Sequence, residues 1–458
     1  MALPPGPRTP HLIQAIQFRA RPLAYLDACA QRYGDIFTAG GNGASPSVYV
    51  SSPSGIQEML TADHALFEPF REDGAARFLF GEGSMVFREG EGHQRERRLL
   101  TPPLHGERLR ANADTIAGIT CDVVDRWRTG EPFFVGPAMR EITLRVIFRM
   151  VFDADEGERL QRLRHLFSSL MTSLNSPWRL TLFRLSAQIP LPLGRWRSPV
   201  ATKEEIDRLI YEEIRERRAR GRSTSADGLT LLMSADNGVG PPLTDQEVHD
   251  EVMTLLFAGH ETTASTLAWA LYWLHHSPDT HEKLHRELET RAVWTDAIEI
   301  SRLPYLAAVC QETLRLNPPC MSVLRVLKAP LTLARYRFAA GTTLIISIYL
   351  THRRADLYPR PDHFEPERFL GRKFSLYEYL PFGGGHRVCL GKSLALFEMK
   401  LVLATILSRW QLAPADHRAV KHGRRMLTAG PGENMRLIPL RERALRGKAS
   451  PPSLVPTP

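Results

Sequence analysis

The pattern of apolar and polar positions predicts a mainly helical chain in which one helix is unusually long. Thr244 to Glu247 form a capping box, in which the side chains of both residues bond to backbone N–H groups at a helix start. From there the chain runs without proline to His276, and Ser277-Pro278 then ends the helix. At 1.5 Å per residue these roughly 32 residues would span about 48 Å. A helix of that length must cross a large single domain.

Shorter elements surround this helix in the prediction. Residues 36–38 and 47–50 read as β-strands separated by a glycine-rich turn at 40–43. A second helix begins at Pro304 and ends before Pro318. A third follows Cys389 and is apolar on nearly every side, which predicts that it is buried. The fold class expected is therefore mainly α with small β-sheets (α+β).

Composition and cysteine usage narrow the class of protein. The 458 residues are 43% hydrophobic and 24% charged, which is ordinary globular composition and excludes a disordered, collagenous or disulfide-stapled chain. The five cysteines are scattered and include no CxxC pair, so they read as free thiols in a reducing compartment. The first ten residues lack the apolar region of a secretory signal, and no stretch is long and apolar enough to span a bilayer. We expect a cytoplasmic protein without a transmembrane anchor.

The net charge of +9 is concentrated near the C-terminus. Residues 416–448 contain nine Lys or Arg against three Asp or Glu. Such an excess suits nucleic acid, an anionic membrane, an acidic protein partner, or merely a solvated surface. Arg424-Arg425 has no interleaved aromatic residues and no known binding module around it, so no nucleic-acid role is expected.

Two further segments stand out by composition. Residues 175–200 are apolar and interrupted by prolines, which suits either a mobile lid that touches a membrane or admits a lipophilic substrate, or ordinary core packing. The last residues, 446–458, hold four prolines and are expected to be a disordered tail.

The most informative string runs from Phe382 to Gly391. Three consecutive glycines let the backbone approach a large, flat group closely, because no Cβ intervenes. Cys389 follows at the predicted start of a helix, where the helix dipole and the neighbouring Arg387 should lower the pKa of its thiol. A thiolate is the soft ligand that an axial bond to iron requires.

This string resembles the signature of the cytochrome P450 superfamily of haem-thiolate monooxygenases, in its soluble bacterial form. The family's Phe-x-x-Gly-x-Arg-x-Cys-x-Gly pattern fits Phe382, Gly385, Arg387, Cys389 and Gly391 without a departure. The family's Glu-Arg-Arg cluster is matched in the family's order. Glu312 and Arg315 have the ExxR spacing, and Arg368 lies in the later Pro-Glu-Arg-Phe segment, residues 366–369. The resemblance extends from about residue 4 to 440 and implies the cytochrome P450 fold as a single haem domain over residues 1–445.

The resemblance also assigns residues on the long helix. Residues 258–263 look like the family's oxygen-activation motif, in which Thr262 and Glu261 would be catalytic and supply a hydroxyl and a carboxylate for proton delivery. Gly259 would let a ligand lie against the helix. The alternative for Thr262 is that its hydroxyl bonds back to the carbonyl four residues earlier, as mid-helix threonines commonly do.

The implied cofactor is haem b, with Cys389 as the ligand of its iron. The two haem propionates need cationic or hydrogen-bonding partners. The resemblance gives these as His93, Arg97, Arg325 and Arg387, with Phe382 also on the cofactor. His93 stands where the family often has tryptophan, and the alternative for it is a surface histidine.

Electrons and substrate must come from outside the chain. No nucleotide-binding segment is present, so the resemblance implies NAD(P)H as the external source and a ferredoxin or flavodoxin-type donor. Its predicted dock lies near the Cys389 loop and uses His386, Lys392, Arg95 and Arg98. The other co-substrate is O2.

The substrate predicted by the resemblance is a lipophilic small molecule similar to a fatty acid or a terpenoid. Phenylalanine and methionine at the lining positions could equally be ordinary core. The expected lining comprises Phe67, Phe70, Phe78, Leu79, Phe80, Met85, Val86, Phe87, Phe257, Ala258 and residues 319–324.

Two other functions remain open on the same sequence. One is a haem-binding sensor or electron carrier without monooxygenase turnover. The other is an isomerase or a peroxygenase on the same fold, which the Glu261-Thr262 pair disfavours.

Overall fold

The helices of the computed structural model account for most of its regular structure. The structure describes residues 3–41, 45–68, 74–153, 157–175, 199–220, 227–234, 242–290, 297–416, 420–424 and 428–442. Within these ranges the α-helices are α1 (His11–Ala20), α2 (Pro22–Tyr33), α3 (Pro53–Thr61), α4 (Gly74–Phe80), α5 (Gly90–Leu100), α6 (Gly106–Ala111), α7 (Ala113–Val124), α8 (Val135–Phe152), α9 (Glu158–Leu174), α10 (Pro199–Arg220), α11 (Gly228–Met233), α12 (Asp245–His276), α13 (Pro278–Thr290), α14 (Ala297–Ile300), α15 (Pro304–Leu316), α16 (Ile348–Thr351), α17 (Arg368–Gly371) and α18 (Lys392–Arg409).

The strands form small sheets at the margins of the helical body. They are β1 (Ile36–Gly41), β2 (Pro46–Val50), β3 (Phe133–Phe134), β4 (Ser322–Val326), β5 (Leu331–Leu333), β6 (Tyr336–Phe338), β7 (Thr343–Ser347), β8 (Trp410–Pro414), β9 (His422–Arg424), β10 (Ala429–Pro431) and β11 (Arg436–Glu442). The largest described sheet has the order β1-β2-β7-β4, with β2 and β7 parallel and the other pairs antiparallel. A second has the order β3-β11-β8, and β5-β6 and β9-β10 form two-stranded pairs.

The long helix α12 lies at the centre of the core, as its pattern predicts. Its capping box is complete, because the Glu247 N–H donates to Thr244 Oγ1 (3.2 Å) while the Thr244 N–H donates to Glu247 Oε2 (2.9 Å). Buried side chains occur along its whole length, and it packs against α8, α15 and α18. Because neighbours surround it on several sides, α12 can be apolar nearly all round.

The other predicted elements are confirmed with one shift in position. The two early strands and the helix from Pro304 lie where the pattern places them. The helix after Cys389 begins at Lys392, with Gly391 as its N-cap, so the cysteine lies just before the helix and not in its first turn. Most of 175–200, part of the predicted turn at 40–43, the boundary at 445 and the tail 446–458 lie outside the described residues.

A buried charge cluster ties α15 to the segment that leads towards the cysteine loop. Glu312 and Arg315 are both fully buried, and Arg315 donates to both carboxylate oxygens of Glu312 (2.7 and 2.9 Å). Arg368 donates to the same carboxylate (3.1 Å). The remaining donors of Arg315 reach the carbonyls of His352 and Pro361, so the cluster is satisfied. The predicted meeting of these three charged residues is confirmed.

No helix in the described part of the chain is both long and apolar enough to cross a bilayer.

Candidate active site

One large cavity lies between α12 and the cysteine loop. Its volume is about 1530 Å³, whereas sites for drug-sized ligands commonly enclose about 300–1,000 Å³. Residues 254–266 of α12 form one wall, and residues 381–391 form another. The space is therefore large enough to hold a cofactor together with a substrate.

The cysteine loop owes its path to its glycines. Gly383 and Gly385 have φ values of 69° and 66°, which strain residues with a Cβ. A Cβ on Gly384 would lie 2.5 Å from Leu60 Cδ1, so the loop passes close to α3 at this glycine. The Cys389 N–H donates to the Phe382 carbonyl (2.9 Å), which closes the loop. Both Phe382 and Cys389 line the cavity.

The predicted lowering of the Cys389 pKa is wrong, because burial outweighs the neighbouring charges. Burial raises the pKa of this thiol above 9.0, and the opposing effects of the Gly391 N–H and Arg97 are smaller. Arg387 is not among the groups that lower it; its guanidinium instead bonds backbone carbonyls, as described below. The thiol is deep in the protein but accessible from the cavity, where Cys320 also lies. Burial and Cys389 raise the Cys320 pKa to about 11.

Thr262 and Glu261 lie on the α12 wall of the cavity, as the motif predicts. The Thr262 hydroxyl donates to the Ala258 carbonyl (3.1 Å), so the back-bonded arrangement is the one present. Glu261 is buried, with its Oε2 3.9 Å from His260 Nε2. Adjacent residues of α12 therefore bring a hydroxyl and a carboxylate to the lining of the cavity.

Gly259 allows α12 to pack closely against α8, a role that was not predicted from the sequence. A Cβ at this position would lie 2.7 Å from Ile147 Cδ1 on α8. Gly259 also lines the cavity, so the predicted lack of bulk is present. The glycine thus serves helix packing and the cavity surface together.

A cluster of cationic side chains gathers at one side of the cysteine loop. His93 is buried on α5, and its ring lies 6.3 Å from the ring of His386. Burial and then repulsion from Arg387 and Arg97 lower the His93 pKa to about 4. Burial and then Arg325 lower the His386 pKa to about 4, and burial and Arg387 lower the Arg325 pKa to about 10. Burial is thus the main cause of each shift, and repulsion from a neighbouring arginine is the second.

The three arginines of this cluster differ in how their donors are used. Arg97 donates to the Val388 carbonyl (2.8 Å), next to Cys389, and Arg325 donates to the Leu324 carbonyl (2.8 Å). Arg387 donates to the carbonyls of Met85 (3.2 Å), Val86 (3.3 Å) and Arg88. Arg387 therefore holds a neighbouring backbone segment in addition to facing the cavity.

That segment, residues 83–88, is called the strap, and its other side is bound by α12. The N–H groups of Gly83 and Met85 donate to Asp250 (2.8 Å) and Glu251 (2.6 Å). The Ser84 hydroxyl bonds to Thr254 (2.7 Å). These α12 residues were missed in the sequence analysis, although consecutive acids on an otherwise apolar helix are a signal that buried partners exist.

A second set of contacts anchors the strap through Arg88. Its guanidinium pairs with Glu247 of α12 (2.7 Å) and with the buried Glu96 of α5 (2.6 Å). Burial is the largest cause that raises the Glu96 pKa, to about 7. The strap is thus fixed from α5, α12 and the cysteine loop.

The predicted lining is correct in most positions and wrong in three. Phe67, Phe80, Met85, Val86, Phe257, Ala258 and residues 319–324 line the cavity. Phe78, Leu79 and Phe87 do not, because Leu79 is fully buried, Phe78 packs on the core, and Phe87 packs between Phe80 and Arg77. Phe70 lies outside the described residues. The corner of α1 and α2 was not predicted to line the cavity, but Phe18, Arg19 and Leu23 do so.

The residues proposed as a dock have different exposures. His386, Lys392 and Arg98 are exposed, whereas Arg95 is half-buried. All lie on the cysteine loop, on the first turn of α18 or on α5.

The residues at the cavity fit a haem. Cys389 offers a sulfur donor, which is the soft ligand that an iron centre accepts. Arg97, Arg325 and Arg387 line the same cavity and suit two carboxylates, since ion pairing would offset the repulsion between the arginines. The only acid among the main causes of these shifts, Glu89, pairs with Lys328 (2.8 Å).

Proteins of similar sequence carry the name cytochrome P450. The family model described as cytochrome P450 matches residues 3–433. Cytochrome P450 135B1 of Mycobacterium tuberculosis is 36% identical over 414 residues, which cover 90% of this chain and 86% of that protein. Cytochrome P450 137 of the same organism is 34% identical over 451 residues, which cover 96% of this chain and 92% of that protein.

Solved structures agree with these relatives. Retinoic acid bound cyanobacterial CYP120A1 has a TM-score of 0.81 and 25% identity, and the match covers 95% of this chain and 99% of that one. The cytochrome P450DA heme domain has a TM-score of 0.83 at 24% identity over 97% of this chain and 98% of that one, a likeness of fold alone. The chain therefore belongs to the cytochrome P450 family of haem-dependent monooxygenases, which are oxidoreductases.

Proposed function

We propose that the protein inserts one oxygen atom from O2 into a lipophilic substrate, with Cys389 as the haem ligand and with electrons from a separate protein. The observation that carries this proposal is that Cys389 and Thr262 both line one cavity of about 1530 Å³. When bound through a thiolate, haem supplies the reductive activation of O2. The polypeptide must hold the haem, admit protons and orient the substrate.

Holding the haem is the role proposed for the cysteine loop and the cationic cluster. Cys389 would ligate the iron, and Phe382 would pack against the haem. His93, Arg97, Arg325 and Arg387 would pair with the propionates. The depressed pKa values of His93 and Arg325 support this role, because two carboxylates would offset the repulsion that contributes to them.

Proton delivery is proposed for Thr262 and Glu261. The Thr262 hydroxyl faces the cavity and can exchange its bond to the Ala258 carbonyl for one to a ligand or a water. The carboxylate of Glu261, the preceding residue on α12, would donate or accept the proton. A Thr262→Ala variant should couple electron consumption to product poorly, and Thr262→Ser should restore the coupling because it keeps a hydroxyl.

The proposed substrate resembles a fatty acid or a terpenoid. Phe67, Phe80, Val86 and Phe257 give the cavity an apolar wall, which favours a lipophilic ligand. A related solved structure has retinoic acid bound, which is a ligand of this chemical kind.

The electron donor is proposed to be a ferredoxin or a flavodoxin-type protein reduced from NAD(P)H. Exposed Lys392 and Arg98 beside the cysteine loop offer positive charge for an acidic partner, and exposed His386, whose pKa is about 4, offers a neutral hydrogen-bonding ring. Lys392→Glu should slow reduction most at low salt, whereas Arg286→Glu, an exposed control on α13, should not. Equal rates in both variants would contradict this dock. All five cysteines are free, which supports a reducing, cytoplasmic location.

The decisive experiment is ligand titration followed by turnover. Fatty acids and terpenes are screened for a spin-state change of the ferric holoenzyme, and active ligands are incubated with a reductase under 18O2. We expect one labelled oxygen atom in the product. A spin-state change without product would favour a sensor or an electron carrier. Product without labelled oxygen would favour an isomerase, and product formed only with peroxide would favour a peroxygenase.

A further inference from the structure

Helix α1 is oriented with its apolar side chains outward. The residue that it buries is the polar Gln14, which is 3% exposed. Leu12, Ile13 and Ile16 are 73%, 43% and 58% exposed. A surface helix of a globular protein normally has the reverse orientation. Its outward face is thus a candidate for contact with another surface.

Gln14 fixes this orientation through four hydrogen bonds. Its amide nitrogen donates to the carbonyls of Thr9 (2.7 Å) and Pro7 (3.3 Å). Its Oε1 accepts from the Tyr25 hydroxyl (3.1 Å) and from the Gly40 N–H (2.9 Å). Rotation of the helix to bury its leucine and isoleucines would break all four bonds. The exposed apolar face is therefore built into the fold.

The chain segment that carries this face has positive and no negative side chains. Residues 1–26 contain Arg8, Arg19 and Arg21 and no Asp or Glu, and all three arginines are exposed. Leu12, Ile16 and Arg19 are spaced i, i+4 and i+7, so they share one side of α1. An apolar stripe with arginine at its edge suits the boundary between acyl chains and phosphate headgroups.

The same helix lies at an edge of the cavity. Phe18, Ala20 and Leu23 line the cavity at the corner between α1 and α2. Arg19 lines the cavity and is also exposed. The cavity therefore reaches the surface beside the outward face of α1.

We propose that α1 docks on the surface of an anionic lipid bilayer. Leu12, Ile13 and Ile16 enter the upper acyl region, and the arginines contact the phosphates. A second copy of the chain fits this face less well, because two like-charged surfaces without acids repel each other. Docking here places the α1–α2 corner of the cavity against the lipid. This inference concerns binding alone, so it stands or falls separately from the proposed reaction.

The test measures co-sedimentation of the holoenzyme with vesicles. Phosphatidylglycerol vesicles should bind it, and pure phosphatidylcholine vesicles should bind it much less. Leu12→Gln with Ile16→Gln should weaken binding about tenfold or more, since two apolar side chains are removed. Arg19→Gln should weaken it about fivefold. Because these side chains are exposed, the variants should fold like the wild type.

Leu376→Gln is the matched control, because Leu376 is 69% exposed but lies far along the chain from α1. It should bind as the wild type does. Absence of wild-type binding to anionic vesicles, or unchanged binding by the Leu12/Ile16 variant, would overturn the proposal. Sedimentation velocity supplies a second check. A dimer in the wild type that the Leu12/Ile16 variant abolishes would assign the face to self-association and also overturn it.

Discussion

The backbone N–H of Met85 donates to Glu251 Oε1 over 2.6 Å, and both residues are buried. The carbonyl of Met85 accepts a hydrogen bond from Arg387 (3.2 Å), and Arg387 lies two residues before Cys389 in the sequence. Met85 also lines the cavity. The strap therefore connects α12, the cavity wall and the cysteine loop. A substitution that breaks one of these contacts should alter the cavity wall and the position of the cysteine loop as well.

Glu251 should tolerate loss of its charge but not loss of its oxygen. Burial, together with repulsion from Glu96, raises its pKa well above 4.5, so its neutral form is favoured. Glu251→Gln keeps an acceptor for Met85 and should lower the free energy of unfolding by less than about 1 kcal/mol. Glu251→Ala leaves a buried N–H unpaired and should cost about 1–3 kcal/mol. Urea denaturation measures both variants, and equal losses would contradict the role of Glu251 as the acceptor for the Met85 N–H.

Phe80 and Leu79 are adjacent in sequence but should have separable roles. Phe80 lines the cavity, whereas Leu79 is fully buried in the core. Phe80→Ala should change the affinity of lipophilic ligands in spin-state titrations. Leu79→Ala should leave that affinity unchanged but lower the free energy of unfolding by about 2–5 kcal/mol. A larger change of affinity in Leu79→Ala than in Phe80→Ala would contradict the assigned wall.

The buried Glu312 cluster should matter far more than an exposed pair with the same spacing. Glu312→Gln leaves Arg315 and Arg368 without their counter-charge and should cost about 3–5 kcal/mol of stability. Glu299 pairs with Arg302 at the same spacing on the surface, so Glu299→Gln should cost less than about 1 kcal/mol. Comparable losses in the two variants would show that burial does not control the strength of these contacts.

His352 should make stability fall in acid. It is fully buried, and burial and then Arg315 lower its pKa from 6.5 to about 3. Its Nε2 accepts from the Leu380 N–H (3.0 Å), which requires the neutral ring. Below pH 6.5 the unfolded chain binds the proton that the folded chain rejects. The free energy of unfolding should therefore decrease towards pH 3, by up to about 1.4 kcal/mol per pH unit.

The check is the pH dependence of unfolding in the wild type and in His352→Gln. Because other buried histidines are present in both proteins, the difference between the two slopes isolates His352. A shallower slope in the variant is expected between pH 6 and 4. Identical slopes would contradict a neutral, buried His352.

Features encoded in short strings of sequence were predicted well. The capping box at Thr244 fixes the start of α12, because both of its hydrogen bonds are formed within four residues. The loop before Cys389 was also predictable from a short string, because the positive φ values of Gly383 and Gly385 favour glycine at these positions. The Cys389 pKa was missed because burial, which depends on the whole fold, outweighs the local dipole.

Features that depend on distant contacts could not be predicted. Asp250 and Glu251 bind a strap more than 160 residues earlier in the chain, and no local pattern reveals these partners. Phe78 and Phe80 are both aromatic, but the phase of the short helix α4 turns only Phe80 to the cavity. The inward position of Gln14 reverses the usual hydrophobic pattern, because hydrogen bonds to the preceding loop, α2 and β1 outweigh its cost of burial.

The most direct test of the account is the absorption spectrum of the reduced, carbon-monoxide-bound holoenzyme. The wild type should show the red-shifted Soret band of a thiolate-ligated haem. Cys389→Ala should lose that shift even where haem remains bound, while Cys320→Ala, which removes the other thiol of the cavity, should keep it. A red-shifted band in Cys389→Ala, or its loss in Cys320→Ala alone, would contradict the assignment of Cys389 as the iron ligand.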